Sequence, residues 1–383
     1  MYIEYKNKNI NAYKPLNYIP TRQVDRNYIS IRTCPCDTVS FSGKKTNRKD
    51  EKKIENLLKN IDGLHDPYSD IIMLPKNKYQ RLQHKISHQT TAKETVNLLS
   101  KQTNHMFSSD VEMLGILSKH ANDKYTDING NTITTDFHTI LKNLKPEARD
   151  RLINSQLNVT DTIRYISRER LPESSQKEVE SYLTIIEKDI HHDRFRIKQS
   201  RSLLERLYDE VPEKEVIDDI MKETLYFPNT ATSTDAFIVK NADKTHAQIA
   251  DLLISPGLIS IEHIKPSSEK GKNSGANYLA ASKRMNNLRC SMPMDQFIEL
   301  FPRIPECTQR YMDDLIKKIN NDKIEPVAYL LGDVKETLYK ESKGQIDVDI
   351  SGVKPDITKK VRILKNEITK LINTYNPNSN NKF

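Results

Sequence analysis

Residues 258–293 read LISIEHIKPSSEKGKNSGANYLAASKRMNNLRCSMP, and they carry the clearest structural signals in the chain. Its first part, 258–264, is rich in β-branched residues and lies between a Pro-Gly pair and a proline, which predicts a short strand. That strand would end at Glu262 and His263. A polar loop with two glycines follows, and a second β-like stretch begins at Asn277. The first half of the segment therefore predicts a hairpin.

The second half of the segment predicts a returning strand and a helix. Residues 277–281 can pair with the first strand. Ser282 is suited to cap a helix of about two turns, which Pro293 would end. A helix in this place would carry Asn286 towards the end of the first strand. The predicted unit is a hairpin followed by a short helix.

Four side chains of this unit have the chemistry for phosphodiester hydrolysis, which needs a base, a divalent cation and a scaffold that fixes both. His263 suits the base because the pKa of histidine lies near neutrality. The oxygens of Glu262 and Asn286 are hard ligands of the kind that Mg²⁺ or Mn²⁺ prefers. We expect Asn277 to bridge the two strands and so to orient His263.

The unit is also locally basic. Within residues 261–290 six basic side chains stand against two acidic ones, and the net charge of the whole chain is +8. Phosphate contacts are the expected use of such charge, and ordinary solubility charge explains it equally well. We expect three of the six to contact phosphate: Arg289, Arg284 and Lys265.

The order of these residues resembles the motif of the HNH endonuclease family, also called ββα-metal nucleases. The matching positions are Glu262, His263, Pro266, Gly271, Asn277, Asn286, Arg289 and Pro293. The resemblance covers residues 258–293, about a tenth of the chain. It implies a divalent metal between Glu262 and Asn286, activation of water by His263, and cleavage of DNA or, less often, RNA.

The segment departs from the family pattern at two places. Many members carry paired cysteines that bind zinc, and here Ser282 and Met285 stand where the second pair would lie, so no structural zinc is expected. Cys290 stands where the family often has glycine. Cysteine has a small side chain, and we expect it to be buried there. Whether Asn286 or Asn287 is the metal ligand depends only on the register of the motif.

Without zinc, apolar packing must hold the unit together. We expect this packing to come from five side chains set against neighbouring helices: Ile261, Tyr278, Leu279, Met285 and Leu288.

The remainder of the chain predicts a mainly α protein with a small α+β element, in which helical domains surround the nuclease module. The sequence is 36% hydrophobic and 29% charged, without tryptophan, which is typical of a helical protein. The predicted regions are an irregular leader (1–48), a helical region (49–225), the nuclease module (226–300), a C-terminal helical region (301–375) and a disordered tail (376–383).

Amphipathic spacing marks the individual helices of these regions. The predicted helical stretches are 91–102, 109–121, 145–170, one or two long helices within 172–212, then 294–320, 324–341 and a last helix over 361–371. Two further groups could bind metal, namely Cys34 with Cys36 and Asp189 with His192 and Asp193. Free thiols and a solvated charged face explain them better, because no other ligand converges on either group.

The function that we expect is a metal-dependent endonuclease acting on nucleic acid, with DNA favoured. The alternative is a non-catalytic nucleic-acid-binding or assembly protein that uses the ββα unit structurally. No stretch approaches the roughly 18 apolar residues of a membrane span, and the first residues lack the apolar core of a signal peptide. We therefore expect a cytoplasmic protein without a membrane partner, and export of an effector by a signal-free route is an alternative that the sequence leaves open.

Overall fold

The computed structural model of the chain describes residues 58–59, 61–126, 129–321, 323–324, 328–357 and 366. These residues are mainly helical, as predicted, and they include two small antiparallel hairpins. The helices are α1 (Lys76–Ser87), α2 (Ala92–Leu99), α3 (Ser108–His120), α4 (Phe137–Arg170), α5 (Glu173–His191), α6 (Ile197–Leu204), α7 (Leu207–Glu210), α8 (Lys214–Glu223), α9 (Thr234–Asn241), α10 (His246–Ile254), α11 (Lys283–Arg289), α12 (Met294–Leu300), α13 (Ile304–Asn320) and α14 (Ala328–Glu341). The strands are β1 (Tyr125–Thr126), β2 (Thr132–Ile133), β3 (Ile259–His263) and β4 (Tyr278–Ser282).

Side-chain caps fix several of the helix starts. The side chain of Thr91 accepts a hydrogen bond from the backbone of Glu94 at the start of α2, and Asp136 accepts one from Thr139 at the start of α4. Thr245 forms a full capping box at the start of α10. Each cap satisfies a backbone N–H that has no partner within its helix, which is why these residue types mark helix starts.

The structure differs from the predicted helix boundaries in several places, and the predicted stretch 294–320 holds the two helices α12 and α13. The helix predicted to start at residue 145 starts at Phe137, and Pro146 lies inside it. The stretch 172–212 holds the three helices α5, α6 and α7, where one or two long ones were predicted. At the end of α5, Asp189 lies 3.6 Å from Arg194 in an ion pair.

Three hydrophobic clusters make up the interior of the part of the chain that the structure describes. One cluster joins 58–73 to the second hairpin and to α11–α14. The next joins α1–α3 and the first part of α4 to α9 and α10. The last joins the rest of α4 to α5–α8. Helix α4 therefore belongs to two clusters, and the predicted region 49–225 contributes to all three.

Strand β3 has a backbone partner on both edges. It pairs with β4 along one edge. On the other edge the backbone N–H of Ile259 donates to Leu74 at 3.0 Å, and Leu74 donates to Gly257 at 2.8 Å. Gly257 has to be glycine, because a Cβ there would overlap the carbonyl oxygen of His105. The start of β3 is thus fixed to the helical body, and His263 lies at the far end.

Several predictions lie outside the described residues. These are the leader 1–48 with its two cysteines, the last helix over 361–371 and the tail 376–383. In the part of the chain that the structure describes, no helix combines the length and the apolar character that crossing a membrane requires.

Candidate functional site

The predicted order of strand, loop, strand and helix is present in the structure. β3 and β4 are antiparallel, with His263 opposite Tyr278 and Glu262 opposite Leu279. The side chain of Ser282 accepts a hydrogen bond from the backbone N–H of Met285 and so caps α11, as predicted. Successive residues of a strand point to opposite faces. Glu262 and His263, although adjacent in sequence, therefore meet different surroundings.

The buried side chain of Asn277 holds the loop between the two strands. Its Oδ1 accepts from the backbone N–H of Lys265 at 2.8 Å. Its Nδ2 donates to the carbonyl of Lys265 at 3.0 Å and to that of Lys272 at 2.9 Å. We expected Asn277 to bridge the strands, and it instead joins the residue two past His263 to the far side of the loop.

Glycine is required where this loop turns back on itself. The backbone N–H of Gly271 donates to the carbonyl of Pro266 at 3.0 Å. A Cβ at Gly271 would overlap the carbonyl oxygen of Lys265. The preceding residue, Lys270, has a left-handed backbone with φ of 64°. The loop is therefore a closed turn with a defined path rather than a loose connection.

His263 is the last residue of β3 and is partly exposed. Its Nε2 lies 2.9 Å from Oδ1 of Asn273 in the loop. Its ring makes an edge contact with Tyr278, with the ring centres 4.8 Å apart. Sequence reasoning did not identify Asn273. The imidazole is thus reachable by solvent and held from two sides.

Glu262 points into the protein and is only 3% exposed. Its carboxylate forms an ion pair with the guanidinium of Arg289, a side chain with no exposed surface. Arg289 also donates to the carbonyls of His263 and Ile264. The expectation that Arg289 contacts phosphate is wrong for this structure, because three acceptors at the end of β3 hold its guanidinium inside the protein.

The residues around this ion pair are buried, and some of their polar atoms have no hydrogen-bond partner. Burial raises the pKa of Glu262 to about 7, although Arg289 acts in the opposite direction. Burial also raises the pKa of Asp66, which accepts hydrogen bonds from Ser282. Among the described residues, the buried Tyr68 hydroxyl and Nε of Arg289 have no hydrogen-bond partner. Buried polar atoms without a partner are costly, and similar atoms occur elsewhere in the described residues, for example at Arg201 and Glu205.

Asn286, rather than Asn287, faces the hairpin. Its Nδ2 donates to Oγ of Ser260 and to the carbonyl of Ile261, each at 3.0 Å. Asn287 is exposed. Because both bonds use the amide nitrogen, the Oδ1 of Asn286 is the atom left to bind a ligand.

The donors at this position are of the type that Mg²⁺ takes. Mg²⁺ is held by one or two oxygen side chains and keeps several waters, so Glu262 and Asn286 match its chemistry. In the described part of the chain, no group of three or more His, Cys, Asp or Glu residues could hold a metal ion. The Glu262 carboxylate is paired with Arg289, so it would have to exchange that guanidinium for a cation before it could bind one.

The other two expected phosphate ligands also have partners within the chain. Arg284 donates to Asp110 at 2.7 Å and to Ser109 at 3.1 Å, and its guanidinium lies over the ring of Phe107. This placement argues against a phosphate contact by Arg284. Lys265 is partly exposed and lies 3.5 Å from Glu341 in a weaker pair. The exposed basic side chains of the unit are Lys270, Lys272 and Lys283.

Two expectations about packing need correction. Leu288 is 50% exposed, whereas Tyr278, Leu279 and Met285 are buried and Ile261 packs partly buried against the same cluster. Cys290 is partly exposed rather than buried. It follows α11 with φ of 52° and ψ of −120°. Such a backbone suits glycine and is strained for any other residue.

Comparisons with known proteins give no relative for this chain. No family model matches it, and neither a curated protein nor a solved structure does so.

Proposed function

We propose that the chain is a metal-dependent endonuclease whose centre is the unit β3–β4–α11. The observation that carries the proposal is the placement of His263 at the end of β3, partly exposed and hydrogen bonded to the loop. Glu262, which precedes His263 in β3, and Asn286, which donates to the carbonyl of Ile261 in the same strand, are the oxygen donors of this proposal. These residue types, in this order, are those that the resemblance to HNH endonucleases implies.

In this proposal His263 is the general base. Its imidazole would remove a proton from the water that attacks the phosphodiester, a task for which histidine is the side chain used most often. β3 fixes its backbone, and Asn273 and Tyr278 fix its ring. Asn277 supports the ring indirectly, because it holds the loop that carries Asn273.

Glu262 and Asn286 would hold the divalent cation, Mg²⁺ in the first place and Mn²⁺ as a substitute. Such a cation neutralises charge that develops on the phosphate and on the leaving oxygen. Glu262 serves this role after it separates from Arg289. The guanidinium would then keep the carbonyls of His263 and Ile264 as acceptors but would lose its buried anionic partner.

The substrate class in this proposal is nucleic acid, with DNA favoured over RNA, cleaved in the cytoplasm. The exposed Lys270, Lys272 and Lys283 lie on the loop and at the start of α11. Lysines on an exposed loop attract the phosphate backbone without selecting a base sequence. Cleavage with little sequence preference is therefore the expected behaviour.

A cleavage assay on the full chain tests the proposal. Supercoiled plasmid, single-stranded DNA and RNA are incubated with Mg²⁺, with Mn²⁺ or with EDTA. We expect products only with a divalent metal. The Asn286→Ala protein should need a higher Mg²⁺ concentration for half-maximal cleavage, whereas the matched Asn287→Ala protein should resemble wild type. Intact substrates in every metal would refute the proposal.

The ion pair between Glu262 and Arg289 favours a second candidate, a non-catalytic nucleic-acid-binding or assembly protein. A carboxylate that already has a buried cation partner has less need of a metal. Binding of a labelled duplex at two salt concentrations, with and without EDTA, separates the two functions. This candidate would be supported by binding that weakens with salt, is unchanged by EDTA and yields no cleavage product.

A further inference from the structure

The contact between His263 and Asn273 determines which ring nitrogen carries the proton. Nε2 of His263 lies 2.9 Å from Oδ1 of Asn273. An amide oxygen can only accept a hydrogen bond, so the ring nitrogen facing it must be the donor. The neutral imidazole then carries its proton on Nε2 and has its lone pair on Nδ1.

We propose that Asn273 is a positioning residue, which holds neutral His263 in the Nε2–H tautomer and so makes Nδ1 the atom that accepts the proton from water. This inference rests on the proposed nuclease function and names a residue and an atom that the sequence motif does not. Asn273 lies four residues before Asn277, in the polar loop. Its contact with His263 spans ten residues of sequence.

The loop is built so that Asn273 has a fixed place. Asn277 bonds to both neighbours of Asn273, since its Nδ2 donates to the carbonyl of Lys272 and its backbone N–H donates to that of Ser274, each at 2.9 Å. The same amide holds the backbone of Lys265, which follows β3. Asn277 therefore ties the segment carrying Asn273 to the end of the strand carrying His263.

The imidazole is restrained on a second side as well. Tyr278 lies directly opposite His263 in the strand pairing, and the two rings meet edge to face with an angle of 74° between their planes. This contact limits rotation of the ring, and the hydrogen bond to Asn273 then selects one of the two ring orientations. Fixing tautomer and orientation together is what makes a histidine ready for proton transfer.

Nuclear magnetic resonance on the ¹⁵N-histidine-labelled full chain tests this assignment. The chain contains ten histidines, so the His263 signals are identified by their loss in His263→Gln. Spectra are recorded at a pH where the ring is neutral, for wild type, Asn273→Leu, Asn273→Asp and Ser268→Ala. Leucine fills the space of asparagine without an acceptor, aspartate retains an acceptor oxygen, and exposed Ser268 is a loop control.

We expect Nδ1 unprotonated and Nε2 protonated in wild type, Asn273→Asp and Ser268→Ala, and a mixture of tautomers in Asn273→Leu. In the cleavage assay Asn273→Leu should lower kcat about 10- to 100-fold and leave KM nearly unchanged, as for loss of a group that orients a catalytic histidine. The Asp variant should retain more activity than the Leu variant. A thermal melt should show no change in stability for any of them.

Two results would overturn the inference. One is a wild-type His263 protonated on Nδ1. The other is a tautomer that Asn273→Leu leaves unchanged. A wild-type chain that cleaves nothing would instead refute the nuclease function, and the spectra would still decide whether Asn273 fixes the tautomer. An active wild type with the wrong tautomer would leave the nuclease function intact and remove Asn273 from it.

Discussion

The two sides of β3 differ in how they hold a charged or titratable group. On the inner side, Glu262 is 3% exposed and depends on an ion pair with the fully buried Arg289. At the outer end, His263 is partly exposed and depends on a hydrogen bond that its ring donates to Asn273 in the loop. The inner group therefore contributes to the stability of the fold, whereas the outer group is reached by solvent.

Substitutions on the inner side of β3 should mainly change stability, and substitutions at its outer end should mainly change activity. Buried charges that lose their partner are strongly destabilising, whereas exposed contacts contribute little. We therefore expect substitutions at Glu262 and Arg289 to lower the free energy of unfolding. We expect substitutions at His263 to lower the cleavage rate with little change in that free energy.

The largest effect should come from Arg289→Ala. This change leaves the Glu262 carboxylate buried without its cation, and we expect the free energy of unfolding to fall by about 3–5 kcal/mol. Urea unfolding followed by circular dichroism measures the fall. The matched control is Arg303→Ala, which removes an ion pair to Asp70 whose arginine is 67% exposed. That control should leave the free energy of unfolding nearly unchanged, because its arginine is exposed to solvent.

A double variant, Glu262→Leu with Arg289→Met, tests whether the loss of stability comes from the unpaired buried charge. Apolar side chains of similar size remove both charges, and we expect most of the lost stability to return. A single Arg289→Ala variant as stable as the Arg303→Ala control would show that the inner side of β3 does not depend on this ion pair.

The next largest effect should come from Asn277→Ala, which removes three hydrogen bonds to Lys265 and Lys272. At about 1 kcal/mol for each bond, we expect a loss of about 2–3 kcal/mol. Hydrogen exchange should show faster exchange of the Lys265 amide. Exposed Asn287→Ala should change stability by less than about 0.5 kcal/mol. Equal stability of the two alanine variants would mean that Asn277 does not hold the loop.

Substitution of alanine for glycine should change the free energy of unfolding in opposite directions at two positions. Gly271→Ala places a Cβ against the Lys265 carbonyl, and we expect a loss of about 1–3 kcal/mol because the turn must open. Gly115 lies inside α3 with no atom within 4 Å of its Cβ position. Gly115→Ala should therefore add about 0.5–1 kcal/mol through helix propensity. Thermal melts of both proteins give the comparison, and a gain at Gly271 would contradict the closed turn.

The smallest effect should come from Cys290→Gly. Residue 290 has φ of 52°, and glycine relieves a strain of about 1 kcal/mol. Cys290→Ala retains the Cβ and should give no gain. Urea midpoints decide between them, and an alanine variant that is stabilised as much as the glycine variant would exclude backbone strain as the cause.

The hairpin and helix could be predicted because their signals are local. The β-branched stretch ends in turn-forming residues, and Ser282 is a cap that acts on the backbone three residues ahead. Asn286 could be predicted to face β3 only through the register of the motif. These features depend on neighbours within a few residues, so the sequence alone indicates them.

The partners inside the site could not be predicted in the same way. The side chain of Arg289 lies one turn after Asn286 and therefore on the same inward face, where it meets Glu262 across 27 residues of sequence. Basic residues are mostly exposed, which is why a phosphate contact was expected. The contact of Asn273 with His263 depends on the path of a whole loop. Its only sequence signal is a polar residue in a loop that contains glycine.

The most direct test of the account is single-turnover cleavage of plasmid DNA in Mg²⁺ by His263→Ala, beside the exposed-histidine control His88→Ala. We expect the rate to fall about 10²- to 10⁴-fold in His263→Ala alone, with a free energy of unfolding within about 0.5 kcal/mol of wild type. Cleavage by a folded His263→Ala protein at the wild-type rate would contradict the account.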